Sequence, residues 1–166
     1  IPYRDFDFIY TPGTIFLLAA TFKLFGESIL IGRILTMLVT ILTAFSIYFL
    51  TNRITNNKLL SILSMLVYLA WGPTHINFTW PTLFAFSTGL LATFFLETNV
   101  IIAGIMVFVT FLFKQNLGTA ALISSFFILV IMKKAKIKSL LILTFGISLA
   151  FTIFLTYLLL TKSTKS

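Results

Sequence analysis

The sequence predicts an all-α protein, a polytopic transmembrane helical bundle with a short interfacial helix before its first complete span. Three observations carry that expectation. Of 166 residues, 59% are hydrophobic and only 10% charged, with a mean hydropathy of +1.09, whereas soluble domains carry about 25% charged residues. The apolar residues fall into long runs separated by short polar turns. The charges sit at the ends of those runs, so the excess of 12 Lys and Arg over 4 Asp and Glu, a net +8, reads as membrane topology and excludes a nucleic-acid footprint. The absence of cysteine excludes disulfides and thiolate metal sites, and one His cannot build a zinc site alone.

The elements follow in order as one membrane domain. Residues 1–12 form a polar outer loop. Thr11 as N-cap and Pro12 at the first helical position open a helix over Gly13 to Phe25, which Gly26 stops. That run is too short to span: a crossing needs about 20 apolar residues, and about 10 to 14 indicate an interfacial or re-entrant segment. Thr14 and Thr21 share one side of it and Lys23 lies opposite, so partial burial against the bundle is expected. Residues 28–51 make the clearest span, closed by the polar turn Asn52 to Lys58. Spans are expected next at 59–71 and 81–96, with Gly72 to Trp80 as the loop between them. Glu97-Thr98-Asn99 separates the following span, 100–113, which must tilt or thin the bilayer to cross. Lys114-Gln115-Asn116 leads to 117–132, and the charge run Lys133 to Lys138 leads to the last span, 139–160. The start at Ile1 and the polar end at Ser166 read as those of a fragment of a longer chain.

Orientation follows from the basic residues in short loops. One side holds Arg53, Lys58, Lys133, Lys134, Lys136 and Lys138. The other holds Arg4, Lys23 and Lys114, with Lys162 and Lys165 in the tail. The first set is expected to be cytoplasmic, which puts the N-terminal loop outside, in a plasma-membrane protein.

That loop, Tyr3-Arg4-Asp5-Phe6-Asp7-Phe8-Ile9-Tyr10-Thr11-Pro12-Gly13, holds two of the four acidic residues. In an extended segment Asp5 and Asp7 point to the same side, where they could share a divalent metal or face one substrate. Fixed carboxylates beside a bilayer suit general-base chemistry on a hydroxyl, or holding a metal against a phosphate. A plain connection with interfacial aromatic residues fits the same composition. Arg33, about five residues into its helix, is placed either to hold a lipid phosphate or to snorkel to headgroups. Lys114 is a second phosphate candidate, or a turn lysine. Tyr3, Arg4, Tyr10, His75 and Gln115 complete the candidate substrate contacts. His75 has no second His or nearby carboxylate, Glu27 is placed to favour a helix N-terminus, and Trp71 and Trp80 suit interface anchors.

The order of these features resembles the multi-pass glycosyltransferases of the GT-C class, in the branch of dolichyl-phosphate-mannose protein mannosyltransferases and lipid-A aminoarabinose transferases. The resemblance is carried by Tyr3-Arg4-Asp5-Phe6, Pro12-Gly13, a short helix ending Lys23-Leu24-Phe25-Gly26-Glu27-Ser28, Arg33 early in a long span, and Ala103-Gly104 followed by Phe113-Lys114-Gln115-Asn116-Leu117-Gly118. It implies a polyprenyl-phosphate-linked sugar as donor, a glycan, lipid or protein as acceptor on the extracytoplasmic face, and catalysis at the membrane boundary. There the catalytic candidates Asp5 and Asp7 match the downstream part of the loop whose upstream acidic motif supplies the family's base, and so either act in catalysis or support the site. The family's acidic motif after its first helix would lie upstream of Ile1, and Trp80 stands before Pro81 where some branches carry an acidic residue. Two other classes remain: a transporter or flippase of polyprenyl-linked glycans, and a non-catalytic membrane subunit. A transporter should distribute intramembrane charges through several helices or repeat itself. Only Arg33 lies well inside a span, and no repeat is visible.

Overall fold

The structure is a computed structural model, and it describes residues 12–72, 80–131 and 137–163. Among the described residues there are seven helices and no strand: α1 (Gly13–Phe25), α2 (Ile29–Thr55), α3 (Lys58–Trp71), α4 (Pro81–Phe95), α5 (Val100–Phe113), α6 (Gln115–Ile131) and α7 (Ile137–Ser163). The chain is therefore all-α, as its composition predicts. Side-chain caps set several starts: Ser28 accepts from the Leu30 N–H, Asn57 from that of Leu60, and Asn99 from those of Ile101 and Ile102. Each satisfies donors that the first helical turn leaves without a partner. Asn56 closes α2 in the left-handed helical conformation at φ 50°, and Gly26 closes α1 at φ 93° in an extended one that glycine alone adopts readily.

Several boundaries differ from expectation: Pro12 is the N-cap of α1 and not its first residue, and α7 runs Ile137–Ser163 where 139–160 is expected. The α2 helix continues to Thr55, four residues past the expected end, since nothing from Asn52 to Thr55 breaks it before Asn56 turns. The expected three-residue break at Lys114-Gln115-Asn116 is a single residue. Only Lys114 leaves helical geometry, at φ −159° and ψ 116°, and α6 begins at Gln115.

Two helices, Ile29–Thr55 and Ile137–Leu159, are long and apolar enough to cross a membrane, and the other five are shorter apolar helices. At 1.5 Å per residue the 27 residues of α2 extend about 40 Å, while the 14 residues of α5 extend about 21 Å.

Packing places α4, α5 and α6 at the centre, with α7 on α5 and α2 on α3 and α4. The interior mixes small and hydroxylated residues, Thr43, Ser61, Ser87, Thr110, Ser125, Ala85, Ala92 and Ala103, with larger ones such as Leu96, Val107, Phe84 and Leu129, all of them buried. Large apolar side chains such as Leu30, Met37, Phe45, Leu66, Phe127 and Ile153 face outward. Water would invert this pattern. Lipid favours it, because tails solvate Leu and Phe as well as a core does, while small residues let helix backbones approach. Some interior hydroxyls find partners within their own helices, Thr36 donating to the Gly32 carbonyl at 2.9 Å and Thr43 to that of Val39 at 2.7 Å, whereas those of Ser87 and Ser125 have none among the described residues. The closest crossing is α5 on α7. A Cβ on Gly104 would stand 3.1 Å from the Cα of Gly146, and one on Gly146 would stand 3.2 Å from that of Gly104.

The two ends of the bundle differ. At one, Arg53 at the end of α2 pairs with Glu97 in the α4–α5 turn and stacks 5.8 Å from the ring centroid of Phe94. At the other, α4 begins at Pro81 and α5 ends at Phe113, with Phe84 and Phe113 stacked at 5.4 Å. Leu17, Leu35 and Val39 pack around that aromatic pair. The longer helices run past it. From Leu35 back to Ile29 and from Tyr157 on to Ser163 there are six residues, about 9 Å of helix in each case. The ends of α4, α5 and α6 are thus recessed between the first turns of α2 and the last turns of α7.

Candidate functional site

Lys114 lies in this recess. As the residue that ends α5, its ordinary place would be back along that helix's last carbonyls, where a cation is favoured. Instead its Nζ donates to Thr82 Oγ1 at 2.8 Å, across to the first turn of α4. The half-buried ammonium therefore sits beside a helix N-terminus, an end that carries partial positive charge of its own. Among the described residues no side chain caps α4, whose N-cap position is Trp80. Below the pair, Thr110 donates toward Thr88 at 2.9 Å, a bridge between α5 and α4 with Thr110 fully buried.

The N-terminus of α1 meets the same place. A Cβ on Gly13 would stand 3.0 Å from the Phe113 N and 2.7 Å from the Leu112 carbonyl carbon, so only glycine allows this approach, one residue from Lys114. Among the described residues no side chain caps this helix either. Thr14, 6% exposed, has a hydroxyl without a hydrogen-bond partner. Thr36 and Thr43 bond a carbonyl one turn back, and a residue in the first turn has no such carbonyl within its helix. From Gly13 the helix runs back along the first turns of α2, with Phe22 beside Gly32, partly buried as expected. Between α1, α5 and α7 it leaves a groove of about 520 Å³ lined by Phe16, Ala20, Leu112, Phe113 and Phe154, with Lys23 as its charged residue.

Of the residues singled out in the sequence, Asp5, Asp7, Tyr3, Arg4, Tyr10 and His75 lie outside the described residues, as do Lys133, Lys134 and Lys136. Arg33 is exposed on α2, two residues before Leu35, and meets no acidic partner among the described residues. Gln115 is exposed at the start of α6, its carbonyl accepting from the Thr119 hydroxyl. Glu27 is exposed between α1 and α2, where Ser28 supplies the cap. No group of three or more potential metal ligands occurs among the described residues.

Sequence reasoning missed Thr82 and Thr14. Each follows the residue that opens its helix, Pro81 or Gly13, and that position was the available signal. It also missed the pairing of Arg53 with Glu97. No family model matches this chain, and neither curated proteins nor solved structures give a match.

Proposed function

We propose that this chain is part of a membrane glycosyltransferase that moves a sugar from a polyprenyl-phosphate donor to a hydroxyl acceptor at the extracytoplasmic side of the membrane. The observation that supports this best is a juxtaposition. Gly13, the second described residue, packs on Leu112 and Phe113, next to Lys114 and its partner Thr82. The chain thus enters the described structure beside the candidate phosphate ligand.

In this reading the acceptor oxygen attacks the anomeric carbon and the bond from that carbon to the phosphate oxygen breaks. The electron pair leaves with the polyprenyl phosphate. Asp5 takes the acceptor's proton and Asp7 holds the acceptor or a divalent metal. Lys114, with Arg33 closer to the surface, balances the charge that grows on the departing phosphate, where a fixed cation lowers the barrier most. The apolar groove beside α1 provides room for part of the donor's lipid chain. Turnover of a panel of polyprenyl-phosphate sugars by the purified full-length protein tests the reading. Asp5→Asn should lose transfer while donor binding persists, and normal turnover in both Asp5→Asn and Asp7→Asn would remove the loop from the chemistry.

A further inference from the structure

Hydroxyls from α2, α3 and α4 meet near the middle of the bundle. Val39 of α2 packs on the cluster of Phe84, Ala85 and Phe113, and Phe49 of α2 meets Phe94 of α4 with ring centroids 6.5 Å apart. From Val39 to Phe49 and from Phe84 to Phe94 the interval is the same, so the two helices run in step and in the same direction. That register puts Ser87 level with Leu42 and Thr43, half-way along α2. Thr43 and Ser87 are buried, at 0% and 2% exposure. Among the described helices α3 packs on α2 alone, yet Tyr68 reaches past it. Its ring centroid lies 6.4 Å from that of Phe86, the residue before Ser87, and its hydroxyl is directed at Thr43.

The hydrogen bonds of this group do not close. Thr43 gives its proton to the Val39 carbonyl at 2.7 Å and has only lone pairs left to offer. The Tyr68 and Ser87 hydroxyls are shut off from the surroundings and have no partner in hydrogen-bond geometry among the described residues. Buried hydroxyls are normally paired. On the same helix Thr88 and Thr93 donate to carbonyls one turn back, at 3.0 and 3.1 Å. Ser87 has the Leu83 carbonyl at that position and does not use it, so its O–H is turned away from its own helix. A direct bond between Tyr68 and Ser87 would use one of the two protons and leave the other unspent.

We infer that Thr43, Tyr68 and Ser87 hold one ordered water inside the bundle. It accepts from the Tyr68 and Ser87 hydroxyls and donates to Thr43 Oγ1, which makes about three hydrogen bonds, the usual number for a buried water. The chemistry selects water. An anion brings no proton for Thr43, a cation brings no lone pair for two O–H donors, and acyl tails at this depth carry no polar atom. The water ties α3, which otherwise rests on α2, to α4, and such a bridge is nearly as good as a direct bond. The site is separate from the transferase reading: Ser87 stands about 7.5 Å farther along α4 than Thr82.

X-ray radiolytic labelling of the full-length protein in lipid nanodiscs, read by mass spectrometry, tests this. Radiolysis of a bound water yields a hydroxyl radical that adds oxygen to the side chain in contact with it. Tyr68 should gain oxygen at least tenfold faster than Phe108, a buried ring set edge-on to Phe151 and Phe154. Ser87→Ala should slow the labelling of Tyr68 at least fivefold. Ser125→Ala, which removes another unpartnered buried serine, should leave it unchanged. Labelling of Tyr68 as fast in Ser87→Ala as in wild type would mark an open crevice and overturn the proposal. Wild-type labelling of Tyr68 no faster than that of Phe108 would mark a dry contact and overturn it too. That last comparison needs no variant, so it decides even if Ser87→Ala fails to fold.

Discussion

Replacing Gly104 with alanine tests whether the α5–α7 crossing holds the bundle together. The new Cβ would stand 3.1 Å from both Gly146 Cα and Ile147 N, and against the Leu143 carbonyl oxygen. All three are backbone atoms of α7, so no rotamer change can clear them. Carbon contacts settle near 3.5 to 4.0 Å, so α7 must withdraw by roughly 0.5 to 1 Å, a gap that forfeits a quarter to a half of each contact's attraction. Overpacking of this kind costs about 1 to 3 kcal/mol. Alanine's better helix propensity returns about 1 kcal/mol, which leaves a net loss of about 1 kcal/mol. Gly32→Ala is the control. Its Cβ would meet only Phe22 Cζ, at 4.0 Å, so it should stabilise by up to about 1 kcal/mol. The two substitutions should therefore differ by roughly 2 kcal/mol, and Gly104→Ala with Gly146→Ala should cost less than the sum because one withdrawal serves both. Reversible unfolding in mixed micelles with added dodecyl sulfate, followed by helical circular dichroism, measures the difference. A Gly104→Ala protein as stable as Gly32→Ala would refute the crossing.

Three further outcomes follow from named contacts. Arg53→Ala removes the Glu97 pair and the Phe94 stacking, but side chains 35% and 28% exposed limit the loss to about 1 kcal/mol; the same unfolding assay should find it shrinking as salt rises. Thr110→Val, which cuts the bridge to Thr88 inside the bundle, should cost about 0.6 to 1.7 kcal/mol, the range for hydrogen bonds between membrane helices. A double-mutant cycle with Thr88→Val should recover a coupling of that size, and none if the bridge is absent. A reporter fused after Lys138 should be active only in a cytoplasmic format, and one fused at Lys114 only in an external format, since α6 lies between them.

The helices were largely legible because their boundaries depend on local chemistry. Gly26, Gly72, Pro81 and the polar residues from Asn56 to Lys58 interrupt apolar runs wherever the chain turns. The direction each helix faces was not legible. Every helix is apolar nearly all round, so hydrophobic periodicity cannot separate the lipid side from the packed side. Only the packed structure reveals that Thr43, Ser87, Thr110 and Leu129 face inward while Phe45 and Phe127 face out. Lys114 was visible as a candidate because charge is rare in this chain, but a three-residue polar stretch concealed that one residue makes the turn and aims its ammonium at Thr82. Thr82 and Thr14 looked like ordinary helix-start threonines. Their meaning comes from the meeting of two helix ends, a tertiary fact with no local signature.

The central claim, sugar transfer at the recessed end, is tested most directly by single-turnover transfer from a radiolabelled polyprenyl-phosphate sugar by full-length protein, comparing wild type with Lys114→Gln and Asp5→Asn. Lys114→Gln should weaken donor binding or slow the departure of the phosphate, and Asp5→Asn should keep donor binding and lose the transfer step. Transfer that proceeds at the wild-type rate in both variants would contradict the account.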